Sequence, residues 1–346
     1  ELKLALNGAL RDKLTLVNKG FVQALNLRFK NASEYAELAY ADNLAETKRL
    51  MQFTREMQRL GIALEPDRLS GGAERAAPDL QANVTEVWLS DLKLANNSLA
   101  FLLEARKVIR ATNANPLDFF WLDQLIQETT QFAGELESRS HGVYSFQAGD
   151  RTLEHFLQGV DGLDERLLVG KVEVKPAESK SLLVILNTVL HNQFVAIEQF
   201  FLQGFALENY GYKAMGESRI RHSLEEMCGA FRTVQHILLL GSVPSSETHL
   251  RFRIPYRVMV GLDVESAIKY DLELTKKLMR NLVQAEIWAK TRSSQPDTHE
   301  LVSFFTRIEE IRVKDLYGQL ETFLESGEDS VVNGQFDTML TRWAVT

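Results

Sequence analysis

The sequence predicts an all-α protein made of two tandem four-helix bundles, and three observations predict it. Only 7 prolines and 20 glycines occur in 346 residues, which leaves room for long uninterrupted helices and argues against a β fold rich in turns. A shift of 180 residues lays the chain on itself without gaps over long stretches: Leu6-Asn7 on Leu186-Asn187, Leu10 on Leu190, Phe21 on Phe201, Gln23 on Gln203, Glu46 on Glu226, Leu60-Gly61 on Leu240-Gly241. Asp91-Leu92-Lys93-Leu94 likewise meets Asp271-Leu272-Glu273-Leu274. Solenoid repeats run to roughly 20 to 50 residues, so a period this long is a domain duplication. Finally, positions 186, 190, 193, 197, 200, 204 and 207 alternate steps of four and three, the spacing of a helix buried along a bundle seam.

Each half contains four helical stretches. The first, near 2–31, is helical in pattern from its opening ELKLALNGALRDK, which has no charged, apolar and cleavable regions of a signal peptide. The second lies near 33–61, and the connection EPDRLSGGAERAAPD separates it from the third, near 80–111. A fourth spans 116–138. One long connection among short ones suits a bundle with a single crossover. Residues 139–177 carry Gly142, Gly149, Gly159, Gly162 and Gly170 around the amphipathic TLEHFLQGV and read as a linker with one short helix. The second half repeats the order near 178–209, 212–241, 263–293 and 297–325, with VPSSETHLRFRIPYRVMVG as its long connection. The expected domains are therefore 1–138, the linker 139–177, 178–325, and a tail, 326–346. In the tail, Phe336, Met339, Leu340 and Trp343 form an i, i+3, i+4, i+7 stripe that suits docking.

Composition narrows the classes of function. With 45% hydrophobic and 25% charged residues the chain reads as globular, and a formal charge of −8 gives no global attraction to a phosphate backbone. Cys228 is the only cysteine, so neither an internal disulfide nor a cysteine-cluster zinc site can form. No run of about 18 apolar residues is present, which argues against a membrane span. The expected compartment is the cytoplasm.

The second half carries five segments in order: NQFVAIEQFF (192–201), HSLEEM (222–227), LLLGSVP (238–244), DVESAIKYDLEL (263–274) and RIEEIRVKDL (307–316). Together they resemble the corresponding segments of bacterioferritins. The first half resembles that family through its likeness to the second. The resemblance implies two ferritin-like bundles. It also implies, in each, the positions of a di-iron centre: a Glu on each of helices one and three, and Glu-x-x-His on each of helices two and four. Carried over, these are Lys13, Glu46, Arg49, Ala95, Glu128 and Gln131 in the first half. In the second they are Gln193, Glu226, Gly229, Thr275, Glu309 and Arg312. Both imidazoles are missing from each half. Arg and Lys are cationic at neutral pH and do not ligate iron, so Lys13 with Glu46, Glu46 with Arg49, and Arg312 with Glu226 and Glu309 are expected to form ion pairs in place of iron. An unpaired buried carboxylate would be costly.

Other residues invite other chemistry. Met227 falls where bacterioferritins place the methionine that ligates haem across a two-fold interface, but its counterpart in the first half is Thr47. A haem carrier centred on Met227 is thus one alternative, and core filling is the other. An oxidoreductase with an unconventional metal site at Glu226 and Glu309 is a further alternative. His222 shares a helix face with Glu225 and Glu226, a weak metal-holding spacing, whereas His141, His155, His191, His236, His249 and His299 show no ligand spacing among themselves. In the second crossover Arg251, Arg253 and Arg257 alternate with Phe252, Ile254 and Tyr256, a pattern suited to an acidic protein surface, to a phosphate backbone or to capping helix ends. Three arginines are too few to indicate nucleic-acid binding. No phosphate loop or nucleophile elbow appears.

The expected function is that of a non-catalytic ferritin-like binding protein without resident metal. Arg251, Phe252, Arg253, Tyr256, Arg257, Phe336 and Trp343 are its candidate contacts with a protein partner. Ferritin-like ancestry associates that partner with metalloenzymes, as an accessory, assembly or protective factor, a nitrogenase-type client being one guess by analogy.

Overall fold

The computed structural model describes residues 1–29, 32–64, 83–112, 119–142, 176–240, 242, 244, 263–292 and 296–326. Eight helices occupy these residues: α1 (Leu2–Phe29), α2 (Ser33–Arg59), α3 (Val84–Ala111), α4 (Phe120–Ser140), α5 (Pro176–Asn209), α6 (Lys213–Leu239), α7 (Val264–Arg292) and α8 (Pro296–Ser326). All eight expected helices are present, with ends moved by a few residues. The crossover connections, the linker's short helix and the C-terminal stripe lie outside the described residues, as do Arg251, Phe252, Arg253, Tyr256, Arg257, Phe336 and Trp343.

Local chemistry sets several of the ends. The expected start of α3 moves from 80 to Val84 because Asn83 caps the helix: its side chain accepts from the Glu86 amide (3.0 Å), and the Glu86 carboxylate accepts from the Asn83 amide (2.8 Å). Asp263 caps α7 through the Ser266 amide at 2.7 Å. At the end of α2 the Ile62 amide reaches the Met57 carbonyl and the Gly61 amide the Gln58 carbonyl, both at 2.8 Å, with Gly61 at φ 67°. This closure needs a left-handed residue, which glycine adopts without strain. The Ser242 amide makes the corresponding bond to the Ile237 carbonyl at 3.2 Å, 180 residues further on.

By contacts the chain divides into two compact units, Glu1–Glu173 with Val234–Thr248, and Val174–Thr233 with His249–Thr346. In the first, α1 packs on α2 and α3, α3 on α4, and α2 on α4. Leu6, Leu10, Phe21, Leu27, Leu50, Phe53 and Trp88 are fully buried there, and Trp121 packs on Phe53 with ring centres 5.7 Å apart. In the second unit α7 packs on α8 and α5, and the Ser223 hydroxyl donates to the Ile197 carbonyl (2.8 Å), tying α6 to α5. That crossing is close. A Cβ on Gly216 would lie 2.6 Å from the Gly204 carbonyl oxygen, and one on Gly204 would lie 2.9 Å from that of Gly216. All seven seam positions of α5 named from the sequence are buried.

Candidate functional site

In the first bundle the cationic and acidic residues anticipated at the centre come together. The Lys13 ammonium on α1, with no exposed surface, donates to Glu46 Oε2 at 3.0 Å. Arg49 lies one turn along α2 from Glu46, on the same face, and bonds Glu46 Oε1. Its Nε also lies 3.3 Å from Glu128 Oε2 of α4, and its guanidinium sits over the Phe132 ring at 5.7 Å. Burial pushes the Glu46 carboxyl up, but Lys13 and Arg49 outweigh it and hold the group below its ordinary value. Ala95 on α3 is buried and offers no donor atom.

Gln131 is the exception. It is exposed on α4, and its amide donates to Glu135 at 3.0 Å, away from the centre. Glu128 is half-buried. Thr129 and Phe132 of α4 are buried instead, and they are the residues an unbroken shift of 180 pairs with Glu309 and Arg312. Positions 128 and 131 thus lie one residue out of register with the buried face, and on a helix one residue turns a side chain by about 100°.

In the second bundle one guanidinium organises the centre. Arg312 on α8, 3% exposed, bonds the Glu226 carboxylate on α6, Glu309 one turn earlier on its own helix (2.6 Å), and Glu225 (3.3 Å). It also lies over the Phe200 ring of α5 at 5.1 Å. Burial raises the Glu309 carboxyl well above its ordinary value; Arg312 opposes this and the neighbouring Glu226 adds to it. Those two carboxylates outweigh the effect of burial on Arg312 and hold it protonated beyond its usual range. Gln193 accepts from the Thr233 hydroxyl (2.8 Å), Thr275 donates to the Asp271 carbonyl (2.8 Å), and Gly229 lies against the Gln193 amide, where a Cβ would approach to 2.8 Å.

This donor chemistry does not fit two iron ions. Such a centre needs about four carboxylates and two imidazoles around two cations, whereas Glu46, Glu226 and Glu309 are each engaged by a fixed ammonium or guanidinium. His222 stacks edge-on against Phe200 with centroids 5.6 Å apart, and its buried Nδ1 meets no hydrogen-bond partner among the described residues. Burial, followed by the charges of Arg312, Arg219 and Arg221, holds its pKa well below the usual value. Met227 is half-buried on α6, and Thr47, its counterpart, spends its hydroxyl on the Asn43 carbonyl at 2.8 Å.

Further buried charge lies at positions that no sequence motif marks. Lys19 on α1 bonds Asp91 (2.8 Å) and Ser90 (2.6 Å) on α3. At the positions shifted by 180, Asp271 on α7 takes Arg219 at 2.6 Å and Gln199 at 3.3 Å, and Arg219 also reaches Gln319 of α8 at 2.8 Å. Burial raises both aspartates, against the pull of Lys19 and Arg219. Asp42 on α2 bonds Arg139, whose guanidinium lies over Trp88 at 5.5 Å, and burial lifts the Asp42 carboxyl to about 6.

Comparison with known proteins agrees with this architecture. A family model described as a ferritin-like domain matches residues 183–324. The bacterioferritin of Mycobacterium avium is 30% identical over 88 residues, 25% of this chain and 55% of that protein, and that of Mycolicibacterium paratuberculosis is 29% identical over the same extent. The chain thus spans about half the length of these relatives. A bacterioferritin of Mycobacterium tuberculosis is 26% identical over 145 residues, 42% of this chain and 87% of that protein. No described helix is long and apolar enough to cross a membrane. Residues 183–324 therefore carry a ferritin-like domain, and bacterioferritins are among the proteins to which this part of the chain is similar.

Proposed function

We propose that this chain is a ferritin-like binding protein without ferroxidase activity, in which cationic side chains have taken the places of metal ions. The observation that carries the reading is the Arg312 guanidinium bonded to both Glu226 and Glu309, with the Lys13 ammonium on Glu46 as its parallel in the first bundle. A cation inside a cluster of carboxylates neutralises the charge a metal would neutralise, and it repels a second cation that approaches. Addition of Fe(II) under anaerobic conditions, followed by air, tests this. Oxidation at the rate of buffer alone and no stoichiometric iron are expected; catalysed oxidation with two irons per bundle would refute it.

The binding role rests on what such a scaffold retains, namely rigid helical faces, and the partner follows only by association with iron biology. We read it as a metalloenzyme for which this chain is an accessory or protective factor. Affinity capture of the full chain from its native cell, with mass spectrometry, should recover a metalloenzyme subunit reproducibly. Recovery of no reproducible partner would count against that role and leave the iron result untouched.

A further inference from the structure

The second bundle contains a cavity of about 1040 Å³ between α5, α6, α7 and α8, at the upper end of the range for small-molecule sites. Ile185, Val189, Leu282, Trp288, Phe304 and Phe305 give it a largely apolar wall, and Gln193, Glu226 and Glu309 form its polar end. Gly229 helps to open it, since a longer side chain there would project beside Gln193. Ile287 and Phe304, both partly open to solvent, stand at its mouth, and an apolar cleft with a few polar groups at one end is the usual setting of a small-molecule site.

The charges on the wall restrict what that occupant is. Glu225, Glu226 and Glu309 are all bonded to Arg312, and Arg232 is stacked over Phe304 at 4.5 Å. A charged ligand would compete for groups already paired and would bring its own desolvation cost. An uncharged one would gain from the apolar surface it buries, and a single N–H or O–H group would find Glu309 Oε2, which is buried and has no hydrogen-bond partner among the described residues.

We propose that this cavity is a binding site for an uncharged, predominantly aromatic small molecule carrying one hydrogen-bond donor. The site goes beyond the reading of the chain as a ferritin-like binding protein, and iron oxidation and ligand binding are measured separately, so either result stands if the other fails.

N-phenyl-1-naphthylamine is a suitable probe: it is uncharged, has one N–H group, and becomes fluorescent in apolar surroundings. Titrated into the full chain, it should bind saturably at one site and accept excitation energy from Trp288, so that Trp288→Phe reduces the transferred emission while saturation persists. Ala285 is buried on the cavity wall, and Ala285→Phe should weaken binding by about tenfold or more by filling the space. Because Cys228 lines the cavity and is the chain's only cysteine, bound probe should also slow its reaction with N-ethylmaleimide. At ten times Kd the slowing should be about tenfold if only the free form reacts. This measurement uses the unaltered protein and does not depend on the Ala285 variant folding. Non-saturable binding, or saturable binding that leaves Cys228 equally reactive, would overturn the proposal.

Discussion

Removal of the Arg312 guanidinium is the sharpest perturbation the second bundle offers. Arg312→Met keeps the aliphatic stem and deletes the charge, leaving Glu226 and Glu309, 6% and 3% exposed, without their common cation. Each ion pair at about 4 Å and an effective dielectric constant near 20 is worth roughly 4 kcal/mol of Coulomb attraction, most of which the desolvation of three ions offsets while the cluster is whole. The offset disappears when one partner is removed, because the carboxylates stay buried; the expected loss is about 3–5 kcal/mol. Burial and Glu226 already raise Glu309, and without Arg312 it should hold its proton to still higher pH. A group with a raised folded pKa stabilises least once it must ionise, so the stability of Arg312→Met should fall as pH rises above the ordinary carboxylate range and recover toward acid. Urea unfolding followed by circular dichroism at several pH values reads both effects. Arg312→Met combined with Glu226→Gln and Glu309→Gln replaces the ions by neutral amides and should lose much less. A loss below about 1 kcal/mol for the single variant, the level of a solvated surface pair, or a triple variant as damaged as the single one, would refute this reasoning.

Asp42 gives a pH dependence of defined sign in the first bundle. Its carboxyl is raised from 3.8 to about 6 by burial, against the pull of Arg139, so between about pH 4 and 6 the folded state holds a proton that the unfolded state releases. Stability should decline by roughly 3 kcal/mol across that window, at about 1.36 kcal/mol per pKa unit. Asp42→Asn should remove this part of the slope in thermal melts; an unchanged slope would place the titration elsewhere. The two bundles also suggest an exchange. Gly229→Arg with Arg312→Phe would copy the arrangement of Arg49 over Phe132 into the second bundle, filling the cavity and abolishing naphthylamine binding while helical content is kept. Gly229→Arg alone sets a second guanidinium near Arg312 and should be the less stable of the two by chemical denaturation.

The helices and their pairing into two halves were legible because buried faces recur at helical spacing and because the 180-residue register is unbroken. That register also contained the means of placing α4 correctly, since it pairs Thr129 and Phe132 with Glu309 and Arg312. The Glu-x-x-His motif instead favours Glu128 and Gln131, since Glu128 has the carboxylate that Thr129 lacks. Glu128 still reaches Arg49, its length offsetting the turn, whereas Gln131 bonds its own helix at Glu135. The Lys19–Asp91 and Arg219–Asp271 pairs were harder to see. An aspartate on a helix usually reads as solvated, and only the repeat of Asp91 at Asp271 signals a shared buried role. Cavity volume depends on how four helices converge, and the absence of a side chain at Gly229 does not disclose it.

The two bundles compensate their buried carboxylates by different routes, and the difference bears on where ligand space remains. In the first, positive charge enters from α1 and α2, as Lys13 and Arg49, and α4 contributes Phe132 beneath the guanidinium. In the second, the positions of Lys13 and Arg49 are Gln193 and Gly229, and the guanidinium enters from α8 at the position of Phe132. Each arrangement needs its partners. Arg49 without Phe132 would lose the ring beneath it, and Arg312 facing an arginine at 229 would meet a like charge across the centre. Moving the cation from helix two to helix four therefore favours a small residue at 229, and the space so released adjoins the apolar wall of α5, α7 and α8. Charge compensation and cavity formation in the second bundle are then two consequences of one rearrangement.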